Sequence, residues 1–254
     1  MGIGSTQSAP TGMLRLRQMT GDDERAVERA DSVSAIDLVA RLTGRDVSTT
    51  AAMHTAYQRD RILATIFTSL YGDLVESVLP CNACGKSFEI TFSLKVLMEG
   101  QQPNPEFADL LEDGTYRLAD GTRFRLPSGE DELAIMGFPP ERALEELLRR
   151  CVIEAGHAVD ADAIQNAMEQ VAPILDLDIK TSCAECGAAA TVRFDIQSYL
   201  LQSILRDRAR LWRETHVLAT SYKWSLNAIH RLTRADRRML VSMIEADASR
   251  RRGI

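Results

Sequence analysis

The residues with the clearest capacity for chemistry are four cysteines in two short turns, Cys81-Asn82-Ala83-Cys84-Gly85 and Cys183-Ala184-Glu185-Cys186-Gly187. A Cys-x-x-Cys turn brings two sulfurs towards one ion, and the glycine after it permits the tight backbone turn beneath the metal. Four thiolates fill a tetrahedral Zn²⁺ shell, so Cys81, Cys84, Cys183 and Cys186 are expected to hold one structural zinc ion per chain. Such a site keeps no open coordination position, which argues against a catalytic metal. A redox pair would instead sit at a helix N-terminus after a strand, where the thiol pKa falls. Here apolar alternation resumes after each pair, the pattern of a hairpin.

Stepping outward, the elements that must position these turns read as strands. Val75, Ser77 and Leu79 alternate into the first turn, and Phe88, Ile90 and Phe92 alternate out of it. Ile174, Asp178 and Ile179 lead into the second turn, and Val192, Phe194 and Ile196 leave it. An offset of 102 residues lays Cys81 on Cys183, Cys84 on Cys186, Gly85 on Gly187, Ile90 on Val192, Phe92 on Phe194 and Leu94 on Ile196. The chain therefore carries an internal repeat, and its two hairpins are predicted to face each other in a zinc-ribbon-like unit. The expected fold is α+β and mostly helical. It comprises a flexible segment 1–33, a zinc-stapled domain 34–200 and a C-terminal helical segment 201–254. The knuckles lie at 75–94 and 174–196, with residues 100–170, carrying a β-hairpin and helices, inserted between them.

The remaining pattern is largely helical. Asp22 to Arg29 reads as a solvated helical turn, and Met13, Leu14 and Leu16 as a possible short strand. Ile36, Val39, Ala40 and Leu42 form one helical face ended by Gly44. A single helix is expected after Ser48-Thr49-Thr50, through Met53 and Ala56 to Leu70. Within it Arg59-Asp60-Arg61 reads as a solvated face, with a partner-binding or internal ion-pair role as the alternative. Ser93 is placed to cap a short helix through Met98. Asp120-Gly121 suits a type I′ turn between Tyr116-Leu118 and Phe124-Leu126. Ser128 and Asp131 have capping-box spacing for a helix through Met136, and Asp160 is placed to cap Ala161 to Val171. Glu141 to Ile153 and Gln197 to Leu218 are amphipathic. Trp224-Ser225 opens a short helix, and Thr233 with Asp236 opens the last. Arg250-Arg251-Arg252 reads as a solvated end.

Other reactive residue types form no constellation. Cys151 follows Leu144, Leu147 and Leu148 at helical spacing, as a small buried hydrophobe would. His54 has no second ligand at metal spacing and reads as structural, and His216 and Tyr222 beside Trp224 as a corner staple. His157 and His230 are scattered, and no HExxH, GxSxG or phosphate-binding glycine loop occurs, so no enzymatic activity is expected. The 254 residues are 45% hydrophobic and 26% charged, with net charge −6, and pI ≈ 5.4. An acidic chain is a poor general binder of nucleic acid, whose phosphates demand cations. No apolar run is long enough to span a membrane. Paired cysteines of this kind suit a metal site in a reducing compartment, and a cytoplasmic protein is expected.

One ordered set of segments carries a resemblance. It comprises Gln58-Arg59-Asp60-Arg61-Ile62-Leu63 leading to Leu70-Tyr71-Gly72-Asp73, the two CxxCG knuckles, and Phe124-Arg125-Leu126-Pro127-Ser128-Gly129-Glu130-Asp131. It ends with His216-Val217-Leu218-Ala219, Tyr222-Lys223-Trp224-Ser225 and Arg237-Arg238. From Ala51 to Ala246 the chain resembles the baseplate and baseplate-hub assembly proteins of T-even-type contractile phages, and their relatives in bacterial contractile injection systems. The resemblance implies a role in assembling or forming a baseplate, with baseplate or hub proteins as partners. A zinc-ribbon nucleic-acid-binding regulator is the alternative, and a metalloenzyme or thiol oxidoreductase the least favoured reading.

Overall fold

The computed structural model describes residues 15–157 and 160–252, with side chains up to Arg250. Four helices come first: α1 (Gly21–Ala26), α2 (Ser32–Thr43), α3 (Val47–Met53) and α4 (Ala56–Tyr71). Gly44 ends α2 in the left-handed conformation (φ 68°), where a β-carbon would be strained. The hairpin β1 (Leu74–Pro80) and β2 (Ser87–Ser93) follows, then α5 (Leu94–Gly100). The insertion holds β3 (Asp109–Leu110), β4 (Tyr116–Arg117), β5 (Arg123–Phe124), α6 (Gly129–Ile135), α7 (Pro140–Cys151), β6 (Val152–Glu154) and α8 (Ala161–Val171). A second hairpin, β7 (Asp176–Ser182) and β8 (Ala189–Asp195), leads into α9 (Ile196–Tyr222), α10 (Leu226–His230) and α11 (Arg234–Arg252). The fold is thus mixed α+β and mostly helical, with small antiparallel sheets, as the sequence predicts.

The 102-residue repeat is a repeat of structure. β1 and β2 shifted by that offset coincide with the bounds of β7 and β8. Gly85 and Gly187 both turn through positive φ, at 72° and 73°. Each hairpin ends in a capped helix, by Ser93 for α5 and by Asp195 for α9. The two sheets are separate, each of two strands, and a two-stranded sheet is marginal alone. Packing supplies the difference: Phe92 and Phe194 meet edge to face at 5.0 Å between the hairpins.

The main core joins α2, α4, α9 and the bases of both hairpins through Leu38, Val39, Leu63, Phe67, Val75, Leu175, Ile196 and Leu200. A second core lies in the insertion, where Phe124, Ile164, Ala167 and Val171 pack with Tyr57 of α4.

A further repeat, invisible to the hydrophobic pattern, docks the helices. Arg17-Gln18-Met19-Thr20-Gly21-Asp22-Asp23-Glu24 and Arg125-Leu126-Pro127-Ser128-Gly129-Glu130-Asp131-Glu132 share one geometry. In both, the Asp accepts from the backbone N–H and hydroxyl of the Thr or Ser N-cap and takes a two-pronged guanidinium from the preceding Arg. The glycines make close approaches. Gly21 donates to Leu232 O at 3.2 Å, and Gly129 donates to His54 O at 3.1 Å. A β-carbon on Gly129 would meet Ile36 Cδ1 at 2.9 Å. Each unit thereby lies against the start of a second helix: Thr20 bridges to Thr233 ahead of α11, and Ser128 bridges to Thr55 ahead of α4.

Several expectations are corrected. The helix predicted from Ser48 to Leu70 is two, because Thr55 with Gln58 forms a capping box that restarts the chain at α4. Arg59 and Asp60 are buried, at 6% and 5% exposure, so they are not a solvated face. Asp23 and Glu24 of α1 are likewise buried, and Met19 and Val27 enter the main core, so the part of segment 1–33 described is packed structure. The possible strand at Met13 and Leu14 lies outside the described residues, and Leu16 is in no strand. The Asp120-Gly121 hairpin forms, but Asp120 lacks the positive φ of a type I′ turn. Gly121 (φ 92°) instead closes a Leu118–Gly121 turn by donating to Leu118 O. The helix predicted to Ile153 stops at Cys151, where Val152–Glu154 pairs with β5 as β6. The boundary expected at 200/201 falls inside α9. Arg250–Arg252 form the last turn of α11.

Candidate metal centre

The two turns that carry the cysteines are closed by the same pair of backbone hydrogen bonds. Cys81 N–H donates to Lys86 O and Gly85 N–H to Cys81 O, both at 2.8 Å. Cys183 to Ala188 and Gly187 to Cys183 repeat them at 2.8 Å. The turn folds locally because its glycine tolerates positive φ, and the flanking strands hold it in register from Leu74↔Ser93 to Pro80↔Ser87 and from Asp176↔Asp195 to Ser182↔Ala189.

All four predicted ligands come together. The Sγ atoms of Cys81, Cys84, Cys183 and Cys186 lie within 4.8 Å of one another. Cys81 and Cys186 sulfurs are 3.7 Å apart, and those of Cys84 and Cys183 are 4.0 Å apart. Four sulfurs on a tetrahedron about 2.3 Å from a central ion sit about 3.8 Å from each other. The cluster therefore has the size of a tetrathiolate metal shell, and these cysteines can hold a metal ion. None is in a disulfide. Cys81 and Cys183 are buried and Cys84 and Cys186 exposed, so each turn offers one inner and one outer sulfur. Behind the inner pair, Phe88 and Ile90 close an apolar floor with Leu79, Ala190 and Val192 around it.

The local electrostatics suit thiolates. Backbone N–H groups of Cys84 and Ala83 point at the Cys81 sulfur and bring its thiol down to about 6. Cys186 is helped by the Ala188 N–H, but sharing protons with Cys84, Cys81 and Cys183 pushes it up to about 12. Packed sulfurs cannot all ionise beside one another without a cation, and a bound divalent ion relieves that repulsion. On the outside, Lys86 Nζ and Glu185 Oε2 pair at 3.1 Å across the two turns, an exposed contact of small energetic weight.

The other residues considered for chemistry stay apart from this centre. Cys151 is fully buried, and that burial pushes its thiol up to about 11, the property of an inert core residue. His54 Nδ1 contacts Thr50 O within the helix joint, and His230 Nε2 contacts Thr215 Oγ1 beneath α10. Tyr222 and Trp224 stack at 4.9 Å.

Sequence reading missed a second polar assembly. Buried Arg237 is held by Glu24 and Glu214, and buried Arg234 by Glu24 and Asp207. Part of the signal was present in the shared Arg-x-x-Thr/Ser-Gly-x-Asp-Glu spacing at 17–24 and 125–132, which places Glu24, the acid that both arginines share.

No family model, curated protein or solved structure matches the chain. Among the described residues no helix is long and apolar enough to cross a membrane.

Proposed function

We propose that the chain is a zinc-stapled, non-enzymatic structural or assembly protein of a contractile injection system or phage-tail baseplate, acting through protein–protein contacts with baseplate or hub components. The observation that carries the structural role is the four-sulfur cluster, which ties two hairpins separated by about a hundred residues of chain and is filled by its own ligands. Zinc is the favoured ion because tetrahedral thiolate sets select it and need no redox chemistry. The baseplate assignment rests on the ordered sequence segments from Gln58 to Arg238.

Two surface features support protein contact over nucleic-acid contact. Exposed charges around the knuckles are mixed, with Glu76, Glu89, Asp178 and Glu185 among Lys86, Lys180 and Arg193. Phosphate binding would require a net basic face. Large apolar side chains also stand exposed on the hairpins and the C-terminal helices: Leu74 and Val78, Trp224 and Leu226, Met239 and Met243.

Co-expression with the baseplate and hub proteins of a contractile particle, followed by affinity capture, tests the proposal. A stoichiometric complex that survives high salt is expected. Capture of nucleic acid with a steep salt dependence, and no binding to baseplate proteins, would replace the proposal with the regulator reading.

A further inference from the structure

The two docking units described above share the Arg–Asp cap, with Arg150 added on Asp131 in the second, and they differ in the company of the arginine from the facing helix. In the first, Arg237 of α11 gives Nη2 to Glu24 Oε1 (2.6 Å) and Nε to Glu214 Oε2 (3.0 Å), while Glu24 Oε2 takes Arg234 Nη2 (2.7 Å). In the second, Arg59 of α4 stands where Arg237 stands, and Glu132 stands where Glu24 stands. Arg59 Nη2 meets Glu132 Oε2 at 3.0 Å. The position of Arg234 is taken by Ala56, and no counterpart of Glu214 reaches Arg59.

Two charged groups of the first unit are therefore missing from the second: one carboxylate and one cation. Arg59 Nε and Glu132 Oε1 stand where the partners of those two groups stand, and Arg59 Nη1 lacks a counterpart of the Leu232 carbonyl that Arg237 Nη1 donates to at 2.9 Å. Arg59 Nε and Nη1 and Glu132 Oε1 are buried and find no hydrogen-bond partner among the described residues. Arg59 is 6% exposed. Arg59, Glu132 and Gln197, whose Oε1 also lacks a partner, line a crevice of about 200 Å³ together with Ala56, Asp60, Asp176 and Asp195. Leaving a buried charged group half-satisfied is costly, so a structural purpose alone would favour the filled arrangement of the first unit.

We propose that this crevice is a binding site for a small zwitterion of the α-amino-acid class. Its carboxylate takes the place of the Glu214 carboxylate on Arg59 Nε. Its ammonium takes the place of the Arg234 guanidinium on Glu132 Oε1. A lone anion is disfavoured because Asp60, Glu132, Asp176 and Asp195 all line the crevice beside Arg59, although Arg193 already holds Asp176 and Asp195 caps α9.

The test uses the full metal-loaded chain with glycine and L-alanine as probes and acetate and methylammonium as half-probes. The side-chain Nε–H resonance of Arg59 and titration calorimetry provide the readout. A saturable Arg59 shift with the amino acids is expected, with about tenfold or weaker binding for either half-probe. Glu132→Gln should weaken binding by about tenfold. Ala56→Arg restores the cation of the first unit, and should abolish binding while leaving the thermal midpoint unchanged or raised. Acetate binding as well as glycine, wild-type affinity in Ala56→Arg, or an Arg59 signal that no probe moves would each overturn the proposal, the last leaving a crevice that holds only water.

Discussion

Single side chains in this protein act through what their neighbours leave unpaired. Asp131 shows this best: it caps α6, takes Arg125 at 2.5 and 2.9 Å, and takes Arg150 Nε at 2.8 Å. Burial raises its pKa, but the Arg125 hydrogen bonds and the Ser128 and Arg150 contacts outweigh that and hold it well below the usual carboxylate range. A depressed pKa adds stability above the unfolded value, and that stability is lost as the pH falls through the carboxylate range. Asp131→Asn should thus cost about 3 kcal/mol at pH 7, and its difference from wild type should shrink in acid, read by denaturant melts across pH. Asp60 has the opposite sign. Its raised pKa of about 6 means the stabilising neutral form is lost as the pH rises through 6. Asp60→Asn keeps an oxygen for the Leu175 N–H, now bonded at 2.8 Å, and should be more stabilising relative to wild type at pH 8 than at pH 4, in the same melts.

At the scale of elements, the joints matter more than the helices themselves. α6 is seven residues long, too short to persist alone. It exists because Ser128 and Asp131 cap it and because Gly129 lets its first turn sit on α2 and α3. Gly129→Ala pushes a methyl into Ile36 and the Ala51 carbonyl, and about 1–3 kcal/mol of destabilisation is expected, measured by urea unfolding. Gly114→Ala is a useful contrast. There a β-carbon meets no atom within 4 Å and the cost arises only from φ 81°. The helix–hairpin–helix repeat is likewise held by its ends, since each hairpin buries only one face and leans on its twin at Phe92 and Phe194.

For the whole molecule, the metal centre and the main core are one device. The hairpins meet at the cysteine end, across the apolar floor of Phe88, Ile90 and Val192, and at the aromatic pair, and their bases enter the core through Val75, Leu175 and Ile196. Cys81→Ser should lower bound zinc from about one per chain and reduce the thermal midpoint, checked by metal analysis and calorimetry. Chelation of wild-type protein should do the same reversibly, because binding and folding free energies are shared in such sites. A chain that contains no zinc, or one whose stability ignores chelator, contradicts the staple. The cysteine spacing, the 102-residue repeat and the caps at Ser93, Ser128, Asp160 and Thr233 were legible from residues alone, since turn glycines, capping side chains and alternation are local rules. The break at Thr55 carried a local signal, the Thr55/Gln58 capping box, that the apolar pattern running across it masked. The strand at Val152–Glu154 was not legible, because the helical pattern continues into it and only pairing with β5 decides against it. The burial of Arg59 and Asp60 was hidden for a related reason: a charged triplet on a helix reads as solvated until another element supplies its partner. By itself the amino-acid order determined which atoms can bind a metal and that two segments are copies. Only the tertiary structure decided that the copies face each other, and that Arg59 and Arg237 stand in matching places with different company, because those relations depend on which distant chain fills the space beside them.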